Sequence, residues 1–280
     1  MCRWMAWHGQ PLLVDELLFK TQHGLIDQSL HSRLGAETTN GDGFGLGWYG
    51  AGDGPGLYHS VLPAWGDANL RHLARHIESP LFLAHVRATT GTPVQETNCH
   101  PFRHDNWLMV HNGLVDGFHG MRRDLMLAVA PELFADVVGS TDSEVLFHLA
   151  LTLGLRDDPI GALEQTIGLV EATGAAHGVE FPFQGTIGVS DGATLWAVRY
   201  SSEGRSRSLF ASAAVSAMQK LHPDNPRLQL MHDDDRLIVS EPLADLQGAW
   251  HEIPDATAVT VGAGGTLEQR PFVPKVPVTA

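Results

Sequence analysis

Strand-like and helix-like periodicities fall in separate blocks along this 280-residue chain, and that ordering limits the folds open to it. Residues 2–7 alternate as a strand does, while residues 12–20 carry apolar side chains at helical spacing. A strand starting at Phe44 turns back through the Gly/Asp-rich stretch 50–56 into residues 57–61. Asp67 can cap a short helix whose apolar side is Leu70, Leu73 and Ile77. Apolar runs at 81–86 and 107–110 read as strands, the second ending on His111-Asn112-Gly113. Helices then interrupt. Thr141 with Glu144 makes a capping-box pattern ahead of a helix over 145–155, with Asp142 in its first turn, and Ile160, Leu163, Ile167 and Val170 define a second helix stopped at Gly174. Residues 185–190 and 193–200 flank Asp191-Gly192 as a β-hairpin, and strands follow at 236–240 and 258–261. Antiparallel runs on both sides of a helical block predict an α+β layered fold rather than the βαβ alternation of a parallel sheet.

The formal charge of −14 opposes nucleic acid or an anionic membrane as partner, since both require a basic face, and makes a small molecule the expected ligand. No signal peptide or membrane-spanning run is read, and two cysteines imply no disulfide framework, so a cytoplasmic protein is expected. No repeat, low-complexity tract or linker divides the chain. One domain over 2–280 is expected, with its core motifs in 2–145 and a C-terminal tail from about 265 to 280.

Cys2 is the chemically suggestive residue. A small side chain after the initiator permits removal of Met1, which leaves a cysteine carrying both a thiol and a free α-amine. With the amine pKa at about 8 and the thiol at about 8.5, nucleophile and base share one residue. A buried cysteine in an edge strand is the competing role. Further parts follow in order: Asn40-Gly41-Asp42-Gly43-Phe44-Gly45, His85-Val86-Arg87-Ala88-Thr89-Thr90-Gly91, Asn98-Cys99-His100-Pro101, His111-Asn112-Gly113 and Ser140-Thr141-Asp142-Ser143-Glu144.

With Met-Cys-Arg-Trp at the start, this ordered set resembles the class II glutamine amidotransferases, and is most similar to their stand-alone, YafJ-type branch, which includes the γ-glutamyl hydrolase of ergothioneine synthesis. Val239-Ser240-Glu241-Pro242-Leu243 also looks like that branch. The resemblance implies a four-layer αββα sandwich of two antiparallel sheets, the N-terminal nucleophile hydrolase fold. It makes Cys2 the nucleophile, Asn112 and Gly113 the oxyanion hole, Arg87 the partner of a substrate α-carboxylate and Asp142 that of the α-ammonium. Asp42 matches a site-region aspartate, and His85 and Thr90 shape the pocket beside Arg87. Structural roles compete: an Asn-Gly turn at 112–113, helix capping for Asp142, a turn for Asp42 and core packing for His85. No cofactor is expected, and no metal, because the spacing of His100, His104 and His111 matches no metal motif.

The expected reaction is cleavage of a γ-glutamyl amide through a γ-glutamyl thioester, giving glutamate and an amine or ammonia. Alternatives are a glutaminase subunit feeding a separate synthase partner and a silent γ-glutamyl-binding protein. A homo-oligomer is left open.

Overall fold

The computed structural model of the chain describes residues 2–34, 39–89 and 91–277. The chain opens with β1 (Arg3–Leu13), α1 (Val14–Leu18), α2 (Leu25–Leu30), the pair β2 (Phe44–Tyr49) and β3 (Gly56–Ser60), α3 (Ala68–Ala74) and β4 (Glu78–Val86). A middle block follows: β5 (Phe102–His104), β6 (Trp107–Val115), α4 (Phe118–Leu127), α5 (Asp142–Thr152), α6 (Pro159–Ala176), β7 (Phe183–Ser190) and β8 (Leu195–Ser201). The last third contributes β9 (Phe210–Ser212), α7 (Val215–Leu221), β10 (Arg236–Val239), β11 (Trp250–Glu252), β12 (Thr257–Val261) and β13 (Leu267–Pro271). Strand β13 lies within the segment expected as a tail.

Two antiparallel sheets result, one ordered β11-β9-β10-β1-β4-β2-β3 and the other β13-β12-β8-β7-β6-β5. Alternation along the strands decides the layering, because successive side chains leave opposite faces. Met5 and Trp7 of β1, with Phe82 and Ala84 of β4, pack outward against Val14, Leu17, Leu25 and Leu70 of the first three helices. Their neighbours Trp4, Ala6, Leu81 and Leu83 face inward and meet Leu108 and Val110 of β6, with Ala197 and Val259, between the sheets. Met109, Ile187, Val189 and Val198 leave the far face and pack on Leu146, Leu149, Leu163 and Ile167 of α5 and α6. Three apolar interfaces between four layers are the αββα sandwich implied by the resemblance.

The two predicted caps hold, while several element boundaries differ. Thr141 and Asp67 do cap α5 and α3, accepting the Glu144 and Leu70 amides at 3.1 and 2.7 Å. Helix α6 runs past Gly174, where a side chain would strike Pro182, and stops instead at Gly178. Gly178 has φ +74°, and the Val179 amide reaches back to the Gly174 carbonyl at 2.8 Å in the left-handed cap that glycine favours. The β7–β8 loop spans four residues, because Asp191 Oδ1 accepts the Ala193 and Thr194 amides, both at 2.9 Å. Finally, β6 does not end at His111 but continues through Val115.

Candidate active site

Strand parity gathers the site at one end of the gap between the sheets. Cys2 lies two residues before Trp4, and Asn112 two residues after Val110, so both continue the series of side chains that face the opposite sheet. His85 and Arg87 continue the inward series of Leu81 and Leu83 on β4. At this end apolar packing gives way to buried polar groups.

The Cys2 thiol is half-buried and donates to the Ala88 carbonyl at 3.6 Å, one residue from Arg87. Burial pushes its pKa up and the Asp142 charge adds to that, while the Ala88 contact and the Arg87 charge oppose. The thiol is therefore protonated at neutral pH.

Arg87 leaves β4 into a loop braced by Asp42. The Arg87 amide donates to the Gly43 carbonyl at 2.9 Å, and the Asp42 amide to the Arg87 carbonyl at 3.0 Å. The Asp42 carboxylate accepts the Thr89 amide at 2.8 Å. Asp42 thus shapes the loop carrying Arg87, the structural alternative weighed for it. The guanidinium is 3% exposed and donates to the Asp42 carbonyl at 3.3 Å, Thr92 Oγ1 at 2.5 Å and Thr89 Oγ1 at 3.3 Å. Among the described residues no carboxylate lies within 4.0 Å of it. A buried arginine held only by neutral groups favours an anionic ligand, since an uncompensated charge is costly to bury.

The donors at Asn112 and Gly113 follow from β6 outrunning its neighbour. β5 pairs with β6 only through Met109, whereas β7 pairs with it through Val115. Alternate residues of a strand direct their backbone groups to the same side. On the side away from β7, the His111 carbonyl accepts the His85 ring at 3.2 Å and the Val115 amide donates to Asp142 Oδ2 at 2.7 Å. Gly113 lies between them, so its N–H points to this same open side. The Asn112 side chain, 2% exposed, makes no hydrogen bond among the described residues. Gly113 is no turn residue: a Cβ there would lie 2.1 Å from the Gln184 carbonyl oxygen, so close strand approach demands glycine.

Asp142 opens α5, with Oδ1 accepting the Ser143 amide at 2.7 Å and Oδ2 bound to β6 at Val115. It is both a helix-terminal brace and a carboxylate whose charge acts on the Cys2 thiol. Glu144 departs from the capping box: its carboxylate accepts the Val138 and Gly139 amides at 3.0 and 2.7 Å, fixing the approach to the helix.

His85 is buried behind the strand ends that carry Arg87 and Asn112. Its ring lies against that of His100, tilted by 31° with centroids 4.2 Å apart, and His111 Nδ1 meets Ser143 Oγ at 2.8 Å. Burial holds His85 down at about 3 and pushes His100 and His111 below the usual imidazole value. Their folded pKa values lie below the unfolded 6.5, so the stability they leave intact above that pH is lost as pH falls below it, and for His85 the loss runs on toward 3. Thermal unfolding followed across this window should lose up to about 1.4 kcal/mol per pH unit from His85, with His100 and His111 acting in the same direction. His100→Phe should flatten the decline; an unchanged slope would deny this role. Thr90 and Met1 lie outside the described residues. No group of three or more His, Cys, Asp or Glu side chains among the described residues is placed to hold a metal ion. Ser143 stands in the Ser140–Glu144 motif, but its contact with His111 carries no local sequence signal, since serine after a cap is ordinary helix chemistry.

The chain is 34% identical to the probable glutamine amidotransferase DUG3 of Saccharomyces cerevisiae, over 93% of this chain and 82% of that protein. It is 34% identical to the γ-glutamyl-hercynylcysteine sulfoxide hydrolase of Mycolicibacterium smegmatis over 60% of this chain and 69% of the relative. A glutamine aminotransferase class-II domain protein from Silicibacter pomeroyi superposes with a TM-score of 0.73 at 36% identity, covering 98% of this chain and all of that one. The sequence model of the glutamine amidotransferases class-II matches residues 20–274, and the chain belongs to that family.

Proposed function

We propose that this enzyme hydrolyses γ-glutamyl amides with Cys2 as an N-terminal nucleophile. The observation carrying the reading is the buried Arg87 guanidinium, free of any carboxylate among the described residues and one residue from the carbonyl that Cys2 touches. A free amino acid head group fits such a site: its carboxylate meets Arg87 as a fork, and its ammonium meets Asp142. Once Met1 is removed, the α-amine of Cys2 takes the thiol proton and sulfur adds to the γ-carbonyl. The oxygen, now anionic, is held by the Asn112 side chain and the Gly113 N–H. The ammonium gives its proton to the departing nitrogen as the C–N bond breaks, leaving a γ-glutamyl thioester. Water adds to the thioester with the amine as base, releasing glutamate and restoring the thiol.

Similarity to a γ-glutamyl-hercynylcysteine sulfoxide hydrolase favours a substituted γ-glutamyl amide over glutamine as the substrate class. The test is glutamate release from glutamine and a panel of γ-glutamyl amides and γ-glutamylcysteine conjugates, with intact-mass analysis of the purified protein. Loss of Met1 and turnover of a γ-glutamyl compound are expected. Full retention of Met1 in active enzyme would overturn the proposed base, and silence across the panel would overturn the reaction.

A further inference from the structure

A charged cluster behind the nucleophile is not explained by substrate binding. Arg3, Glu241 and His23 are 2%, 1% and 1% exposed. Glu241 Oε1 accepts Arg3 Nε at 2.5 Å, Ser32 Oγ at 2.6 Å and the Leu34 amide at 2.9 Å. Its Oε2 meets His23 Nε2 at 3.1 Å and accepts the Arg33 amide at 3.0 Å. His23 in turn contacts Asp27 at 2.6 Å. Burial alone would raise the Glu241 pKa, yet His23, Ser32, the Arg33 amide and the Arg3 charge hold it well below the usual carboxylate range.

The guanidinium of Arg3 uses each edge differently. Nε grips Glu241, Nη2 donates to Ser32 Oγ, and Nη1 donates to the Cys2 carbonyl at 2.8 Å. Cys2 precedes the first residue of β1, so the sheet ladder ends just where the nucleophile begins. Its backbone is held instead by this arginine. On the next strand, Ser240 ties the same region down: the Trp4 amide donates to Ser240 Oγ at 3.1 Å, and the Ser240 amide to the Trp4 carbonyl at 3.0 Å.

We propose that Glu241, acting through Arg3, is the positioning residue of the nucleophile, fixing the Cys2 carbonyl and with it the direction of the thiol and α-amine. A residue that is both nucleophile and base sits at a chain end, the place where backbones fray most readily. The planar fork converts that end into a point held from β10's continuation, and an error of about 1 Å in such a reacting group costs about a hundredfold in rate. The clamp leaves the Arg87 and Asp142 contacts untouched, so it acts on turnover and not on head-group binding. This inference rests on Cys2 being the nucleophile.

Three variants test it in the full chain: Glu241→Gln, Arg3→Lys and the double change Arg3→Met with Glu241→Leu. The double change removes both buried charges together, which proteins often tolerate without loss of stability. Arg3→Lys keeps the charge but cannot make three planar contacts. The expected result is a fall in kcat of about a hundredfold, with KM held within about threefold. In parallel, the pH profile of Cys2 alkylation by iodoacetamide, read at the Cys2 peptide by mass spectrometry, should shift to lower pH than in the wild type, because a released thiol gains solvent. A double variant, or Arg3→Lys if the double variant does not fold, that keeps wild-type kcat and alkylation profile overturns the clamp. If the wild type turns over no glutamyl compound, the proposed reaction fails, while the alkylation profile still decides the clamp.

Discussion

Cys2→Ala is expected to release no glutamate above background from any γ-glutamyl amide that the wild type cleaves, a loss of at least about a thousandfold in kcat. The size of the effect follows from the absence of a substitute thiol. Cys99 is fully buried, its Sγ directed to the Ser60 and Gln95 carbonyls at 3.6 Å each, and burial raises its pKa to about 11. His85, His100 and His111 are buried and cannot attack. Alanine is also small, so removal of Met1 is expected of the variant as of the wild type, and the comparison isolates the thiol from the amine. Binding should survive, because Arg87 and Asp142 make no hydrogen bond to the Cys2 side chain. Calorimetry should therefore find the uncleaved amide bound to Cys2→Ala with an affinity near the wild-type KM. Glutamate release that persists in this variant would assign the chemistry to another group and remove the thioester from the pathway.

The layers of the fold were legible because strand alternation is written into single residues. Trp4 and Met5 point to opposite faces, and the same switch recurs at Leu108 and Met109. Interruptions were harder to place. Gly174 looks like a helix stop by composition, but it serves as a flat spot against Pro182, and the left-handed stop comes at Gly178. Asn112-Gly113 reads locally as a turn, yet it continues β6, since its pairing to Thr186 and Gly185 depends on residues some seventy positions away. The site residues were named from their order in the chain, but their division of labour was not. Asp42 braces a loop and His85 supports the strand, and both tasks depend on which backbone groups the neighbouring elements leave unpaired. The clamp from Glu241 to Cys2 joins residues 239 positions apart, a separation at which no local pattern speaks.

Asn112→Ala should lower kcat by about a hundredfold, about 3 kcal/mol of transition-state stabilisation, while leaving KM nearly unchanged. The argument turns on when its amide is used. In the resting enzyme the side chain has no hydrogen-bond partner among the described residues, so its removal breaks no internal bond, and the backbone pairing to β7 does not involve it. Its amide gains a strong acceptor only when the γ-carbonyl oxygen becomes anionic, which is why the loss falls on kcat. Gly113→Ala is the poorer probe of the same hole, because the added carbon meets the Gln184 carbonyl oxygen at 2.1 Å and would displace the strand together with the N–H under test. The Gly113 donor remains in Asn112→Ala, so residual turnover should exceed that of Cys2→Ala by at least about tenfold. A melting temperature close to the wild type, combined with the kcat loss, would identify the amide as a transition-state donor. An unchanged kcat would leave Asn112 as a sheet residue and require the oxyanion to be held by Gly113 and a donor from another element.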